Sequence, residues 1–198
     1  MPQEHREALA RTYALGIYHV MALFDGDIEA RATAEHYLPQ FELALDDLVT
    51  HISYDDLTPD SSPNPLPLFP LANTESFWRS WVLQESTRRT WLFTNQLILM
   101  YSYLTKRQPR IKENSSDQCR SWCLSGQLWR ATNAVDFATA WGAGRKLVAT
   151  IENLEEVFAE ARPADLDDFG RILLTCYMGD QEARAWMAMR GGVIDSCF

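Results

Sequence analysis

The longest stretch that reads as one element constrains the fold most. From about Thr74 to Lys106 the apolar positions Trp78, Trp81 or Val82, Leu92, Leu97, Met100 and Leu104 keep the spacing of a single helical face. Asn73 or Thr74 is placed to cap its start. A helix of about 30 residues is roughly 45 to 50 Å long, so it should form the axis on which the remaining elements pack.

Those elements also read as helices. Glu4 to Phe24 carries Leu9, Tyr13, Ile17, Val20 or Met21, and Phe24 along one face. Gly26 can take a left-handed cap, and Asp27 can cap a second helix toward Leu38, where Pro39 either kinks the helix or starts a new one. Its continuation to about Ile52 puts Phe41, Leu45 and Leu48 on one side, which makes an antiparallel hairpin the simplest packing. Further helices are expected from Thr132 or Asn133 through Trp141, from Lys146 to Ala161, from "PADLDDFG" to Gly179, and after Asp180. The segment "CRSWCLSGQLWRA" is too short and mixed to assign. No alternating strand pattern and no repeat occurs. The expectation is an all-α chain: one irregular helical bundle, a single domain over residues 1–198, packed around the long helix.

Between Tyr54 and Ala72, "YDDLTPDSSPNPLPLFPLA" has five prolines and no period, so it is a loop. Its apolar half, "LPLFPLA", is expected to pack across the helices.

Seven Trp, seven Tyr and nine Phe can fill a core or line an apolar pocket. A net charge of -9 repels phosphate backbones, and the short basic run of Lys106, Arg107, Arg110 and Lys112 reads as a solvated loop. Cys119 and Cys123 offer half a metal site that neither Cys176, Cys197 nor a nearby histidine completes, so no metal and no cofactor is expected. The N-terminus shows no secretory pattern, and no segment has the apolar length to span a bilayer. The expected location is intracellular and cytoplasmic, or nuclear for a regulator, and a homodimer is compatible with the sequence.

Within the long helix, "FWRSWVLQESTRRTWLF" places Glu85 three and four residues before Arg88 and Arg89, so the carboxylate can pair with either guanidinium. Trp78, Trp81 and Trp91 can exclude water around such a pair. The structural reading is a buried ion pair that fixes helix register, and the functional reading is contact with a ligand. His19 is a candidate general base or a satisfied core histidine. His51 and Asp47 are four apart and could orient an imidazole. Asp167 and Asp168 are explained by helix capping. No nucleophile elbow, phosphate loop or dinucleotide fingerprint is present, and Gly142 and Gly144 follow a helix.

Three pieces in order, "FWRSWVLQESTRRTWLF", "LWRATNAVDFATAW" and "DLDDFGRILLTCYMGD", resemble the C-terminal part of the regulatory domain of fungal zinc-cluster transcription factors, especially those of secondary-metabolite gene clusters. Trp78 and Trp81, Glu85 with Arg88 to Trp91, Leu128 to Ala131, and Asp167 to Gly170 carry the likeness. It implies an all-helical domain and small-molecule or partner sensing. The family's DNA-binding cluster needs six cysteines in two close groups, and no cysteine precedes Cys119, so direct DNA binding is not expected.

Three functions fit these residues. The favoured one is an enzyme that holds a hydrophobic polyketide- or terpenoid-like intermediate and guides a cofactor-independent cyclisation, such as a Diels-Alder-type step. Arg88, Arg89 and His19 would be its catalytic groups, and Trp78, Trp81, Glu85, Tyr101 and Trp129 its substrate contacts. The alternative is an accessory regulator or metabolite-sensing domain that does not touch DNA, and the third is a family member retaining only an interaction surface. An enzyme predicts a closed cavity of several hundred Å³. A regulator predicts an exposed apolar face of several hundred Å².

Overall fold

The computed structural model describes residues 3–57, 65–108, 121–143 and 146–191. Arg110, Lys112, Cys119, Gly144 and Cys197, and part of the proline-rich loop, lie outside them. The helices are α1 (Gln3–Phe24), α2 (Ile28–Val49), α3 (Leu71–Thr105), α4 (Gly126–Trp129), α5 (Ala134–Ala143), α6 (Leu154–Glu160), α7 (Asp168–Met178) and α8 (Asp180–Met189). Among the described residues, two short strands, β1 (Trp122–Cys123) and β2 (Val148–Ala149), are the exception to helical structure. The all-α expectation is therefore met. The chain divides into two compact units, one of residues 1–53 and 83–119, the other of residues 54–82 and 120–198. The 35-residue α3 contributes its first part to the second unit and the rest to the first.

In the first unit, Gly26 takes φ 89° at the turn after α1, and the Asp27 carboxylate caps α2 by accepting from the Glu29 and Ala30 amides. Pro39 does not interrupt α2. It lacks the amide that would bond to the Glu35 carbonyl, and burial of Leu38, Phe41, Ala44, Leu45 and Leu48 along the same face offsets that loss. Contacts from Thr12 to Ala44 and from His19 to Phe41 run the two helices antiparallel. Those from His5 to Thr87 and from Gly16 toward Thr94 run α1 and α3 in the same direction.

The face that α1 buries reverses expectation. His5, Ala8, Thr12, Gly16, His19 and Leu23 turn inward, whereas Tyr13, Ile17, Met21 and Phe24 of the expected stripe are exposed. The cause is close approach. A Cβ on Gly16 would lie 3.0 Å from Thr94 Cγ2 and 3.7 Å from Phe41 Cζ, so a large side chain does not fit at this point of the buried side.

The second unit is built on an aromatic cluster. Trp81 rests 5.1 Å from Phe137, which lies 5.4 Å from Trp141, and Phe77 meets Trp141 edge-on at 5.1 Å. Leu66, Cys123 and Leu128 complete the buried set, with Trp78 packed against it. Of the loop's apolar half, Leu66 packs while Leu68 and Phe69 stay exposed. The strands pair antiparallel, Trp122 with Ala149 and Cys123 with Val148. The Leu124 amide extends the ladder to the Leu147 carbonyl at 2.8 Å. Lys146 to Ala149 is thus strand and loop where a helix was expected, and helix resumes at Leu154 after Asn153 ties back to Thr150 and the Val148 carbonyl. Asn133 caps α5 through the Val135 and Asp136 amides, and Asp167 caps α7 through the Gly170 amide at 2.8 Å. The Trp186 indole donates to the Phe158 carbonyl at 3.2 Å, docking α8 on α6.

Candidate functional site

Helical spacing brings Glu85, Arg88 and Arg89 to one side of α3, and all three are buried. Arg88 Nε donates to Glu85 Oε2 at 3.0 Å, and Arg89 Nε to Glu85 Oε1 at 2.8 Å. One carboxylate therefore serves two guanidiniums out of water, where each interaction is far stronger than at a surface. Arg88 Nη1 also donates to the Ser53 carbonyl at 2.7 Å. The neighbouring Gln84 accepts from the Ser53 amide at 2.9 Å and donates to the His51 carbonyl at 3.3 Å. The turn that follows α2 is thereby fastened to α3.

The start of α1 reaches the same place. The His5 ring stacks on His51 at 5.2 Å with an interplanar angle of 9°. Its Nε2 lies 2.8 Å from the Thr87 hydroxyl, which itself donates to the Leu83 carbonyl at 2.8 Å. With that proton committed to Leu83, His5 Nε2 is the donor of the pair. Burial, and next the neighbouring His51, hold the His5 pKa below its ordinary value. The spacing of Asp47 and His51 allowed an oriented imidazole, but Asp47 pairs instead with Arg11 of α1.

The remaining candidates of the first unit sit farther along. Tyr101 is thirteen residues from Arg88, about 20 Å along α3. It is buried and donates to Glu35 of α2, while Tyr103 is 86% exposed. Burial first, and the Glu35 carboxylate second, push the Tyr101 phenol up to about 12. His19 stacks on Phe41 at 4.5 Å, with Nδ1 2.8 Å from the Leu15 carbonyl. Its pKa is lowered by burial, against the opposing pull of the Leu15 and Ala34 carbonyls. Nε2 makes no well-formed hydrogen bond, although the Ala34 carbonyl is near enough to favour a proton there. The structure thus brings Glu85, Arg88 and Arg89 together and keeps His19 and Tyr101 apart from them.

Trp78, Trp81 and Trp129 belong to the second unit. Trp81 is 1% exposed within the aromatic cluster, Trp78 is half-buried, and Trp129 ends α4 at the surface. The indole N–H groups of Trp78 and Trp81 have no hydrogen-bond partner. Among the described residues, no group of three or more His, Cys, Asp or Glu is arranged to hold a metal ion, and no helix is long and apolar enough to cross a membrane. Cys123 is buried and Cys176 exposed. Arg107 of the basic run pairs with Glu42 at 3.3 Å.

Sequence reasoning missed the contribution of His5 and Thr87. A signal existed: His5, Thr12 and His19 recur at seven-residue intervals with Gly16 between them, marking a narrow polar seam along α1.

The chain is 25% identical over 186 residues to the transcription factor gsfR2 of Penicillium aethiopicum, a match covering 91% of this chain and 42% of that protein. The chain is therefore related, over most of its length, to a fungal transcription factor, and spans less than half of the relative it matches. No family model matches the chain, and no solved structure does. This relationship overturns the favoured expectation of a cyclase or Diels-Alder-type enzyme: the similarity that covers nearly the whole chain is to a protein named as a transcription factor, which favours the regulator alternative. The rings assigned to a substrate wall are in part spoken for as well, since Trp81 packs directly on Phe137 within the cluster.

Proposed function

We propose that the chain is a regulator related to the non-DNA-binding portion of fungal transcription factors, acting through protein contacts. The carrying observation is the match of 91% of the chain to 42% of a protein named as a transcription factor. The order of the Trp78 to Trp91, Leu128 to Ala131 and Asp167 to Gly170 pieces supports assignment to a regulatory domain. A net charge of -9 disfavours a direct phosphate contact, so DNA would be reached through a partner, in the nucleus. Under this reading the buried Glu85, Arg88 and Arg89 group sets the register of α3 and the turn at Ser53, and the exposed helical faces meet partners.

The test is a tethering experiment. Residues 1–198 fused to a heterologous DNA-binding module should change transcription of a matching reporter several-fold in a filamentous fungal host, while the untethered chain leaves it unchanged. A fusion that is stably made and nuclear yet leaves the reporter at its basal level, in a host that also loses no transcripts when the gene is deleted, refutes the reading.

A further inference from the structure

We propose that the stacked rings of His5 and His51 are a pH-sensitive latch, which fastens the start of α1 to the first unit at neutral pH and releases it in mild acid. The inference stands on the first unit alone and does not require the regulatory reading.

Three elements meet at the stack. His5 lies in the first turn of α1, His51 in the turn that follows α2, and Thr87 on α3. The two rings face each other at 5.2 Å with an interplanar angle of 9°, and His5 Nε2 donates to the Thr87 hydroxyl at 2.8 Å. With the proton on Nε2 engaged there, Nδ1 is the nitrogen of His5 that takes up another, and the ring then becomes a cation. Imidazole is the side chain that makes this change between pH 5 and 8.

The stack is poorly built to hold that cation. His5 is buried, so its charged form is deprived of water. It also sits at the positive end of the α1 dipole. His51 lies face to face with it, so protonation of both rings sets two like charges 5.2 Å apart. Among the described residues, neither ring hydrogen-bonds or ion-pairs with a carboxylate. The charged groups of the surrounding elements are engaged with one another: Asp47 pairs with Arg11, and Glu85 holds Arg88 and Arg89, with Arg88 bonded on to the Ser53 carbonyl. On α1 itself, Glu4 and Arg6 are exposed and Glu7 accepts from Gln3.

Burial first, and the His51 ring second, hold His5 below its ordinary value while the latch is closed. The released form therefore binds the proton more tightly, so the latch is secure above about pH 6.5 and weakens as pH falls below it. One proton gained on opening raises the open population by up to about tenfold between pH 7.5 and 5.5. Release is local, because the next contacts along α1 do not titrate in that range. The Thr12 hydroxyl donates to the Ala44 carbonyl at 3.1 Å, Arg11 holds Asp47, and Gly16 lies against Thr94. Residues 3–10 can lift away while the rest of the helix stays packed.

The experiment is NMR on the full chain at pH 7.5 and 5.5. The wild type should show nuclear Overhauser contacts from the His5 ring to His51 and to the Thr87 methyl at the higher pH and lose them at the lower, while the contact of Gly16 with the Thr94 methyl persists. Hydrogen-exchange protection of the Glu7 to Ala10 amides, corrected for the intrinsic pH dependence of exchange, should fall by about three- to tenfold. His5→Gln keeps an N–H for Thr87 and cannot titrate, so its protection should hold within about twofold. If His5→Gln does not dock at pH 7.5, His51→Phe is the second probe: it keeps a flat ring in the stack without the second charge, and its loss of protection should be smaller than that of the wild type. Ring contacts that survive in the wild type at pH 5.5 overturn the proposal. So does a docked His5→Gln that loses as much protection as the wild type, or a His51→Phe that does. Loss of the Gly16 to Thr94 contact in step with those of His5 overturns it as well, since the whole helix would then be leaving.

Discussion

Replacing Glu85 with Gln tests the energetic centre of the first unit. Gln keeps the length of the side chain but loses its charge and one of its two acceptor oxygens. The Arg88 and Arg89 guanidiniums, 3.0 and 2.8 Å from the carboxylate, would then face an amide whose NH2 group can only donate. Because Glu85 is fully buried and the Arg side chains are 1% and 8% exposed, solvent cannot take over the lost interaction. Removing one partner of a buried ion pair costs about 3–5 kcal/mol, a large share of the ~5–15 kcal/mol that holds a typical domain. For a chain of this length that corresponds to a fall in Tm of about 6–20 °C. The exposed Arg11 and Asp47 pair is the internal standard, because Asp47→Asn should cost under about 1 kcal/mol. Urea unfolding followed by circular dichroism gives both values, and amide exchange along α3 locates the loss. The reasoning is refuted if Glu85→Gln costs no more than Asp47→Asn.

Acid should destabilise the chain through His5 and His19. Both have folded-state pKa values below the ordinary 6.5, so the unfolded state binds more protons; their contribution is complete above about pH 6.5 and is lost as pH falls below it. His5→Gln keeps an N–H donor for Thr87 but cannot titrate, so the slope of Tm between pH 7 and 5 should be shallower than in the wild type; an identical slope removes His5 from the account. At Gly126 a Cβ would sit 2.8 Å from the Asp167 amide nitrogen and 2.9 Å from the Leu166 carbonyl carbon, so Gly126→Ala must move backbone and should cost about 1–3 kcal/mol by denaturant titration. Gly16→Leu should cost a similar ~1–3 kcal/mol, partly restored by Thr94→Ala, because the side chain it meets can be shortened.

Much of the helical plan was legible because it rests on local chemistry. The Asp27, Asn133 and Asp167 caps form with the amides that their positions dictate, and Gly26 adopts the left-handed conformation that its place in "DGD" called for. The Glu85, Arg88 and Arg89 group was legible for the same reason, since spacing of three and four residues brings those side chains together whatever else packs around the helix. The strand at Val148 was not. Two residues carry no period, and what makes them extended is a ladder to Trp122 and Cys123, more than twenty residues away.

The first helix shows where local reasoning stops in principle. A period of 3.6 in the apolar residues says that a helix has a greasy side, but not that this side faces the chain's own core. Which side turns inward was decided by the distance of approach at Gly16, where Thr94 leaves no room for a larger group, so the small and polar seam was buried and the large rings were left outside. Burial of His5, Thr12 and His19 is sustainable because each finds a backbone or hydroxyl partner: Thr87 for His5, Ala44 for Thr12, Leu15 for His19. The outer stripe has no comparable use among the described residues of the first unit. A helix so arranged contributes to its own fold through its small face and keeps the larger hydrophobic gain for whatever covers Tyr13, Ile17, Met21 and Phe24, which is the physical reason to look for the function of this chain on its surface.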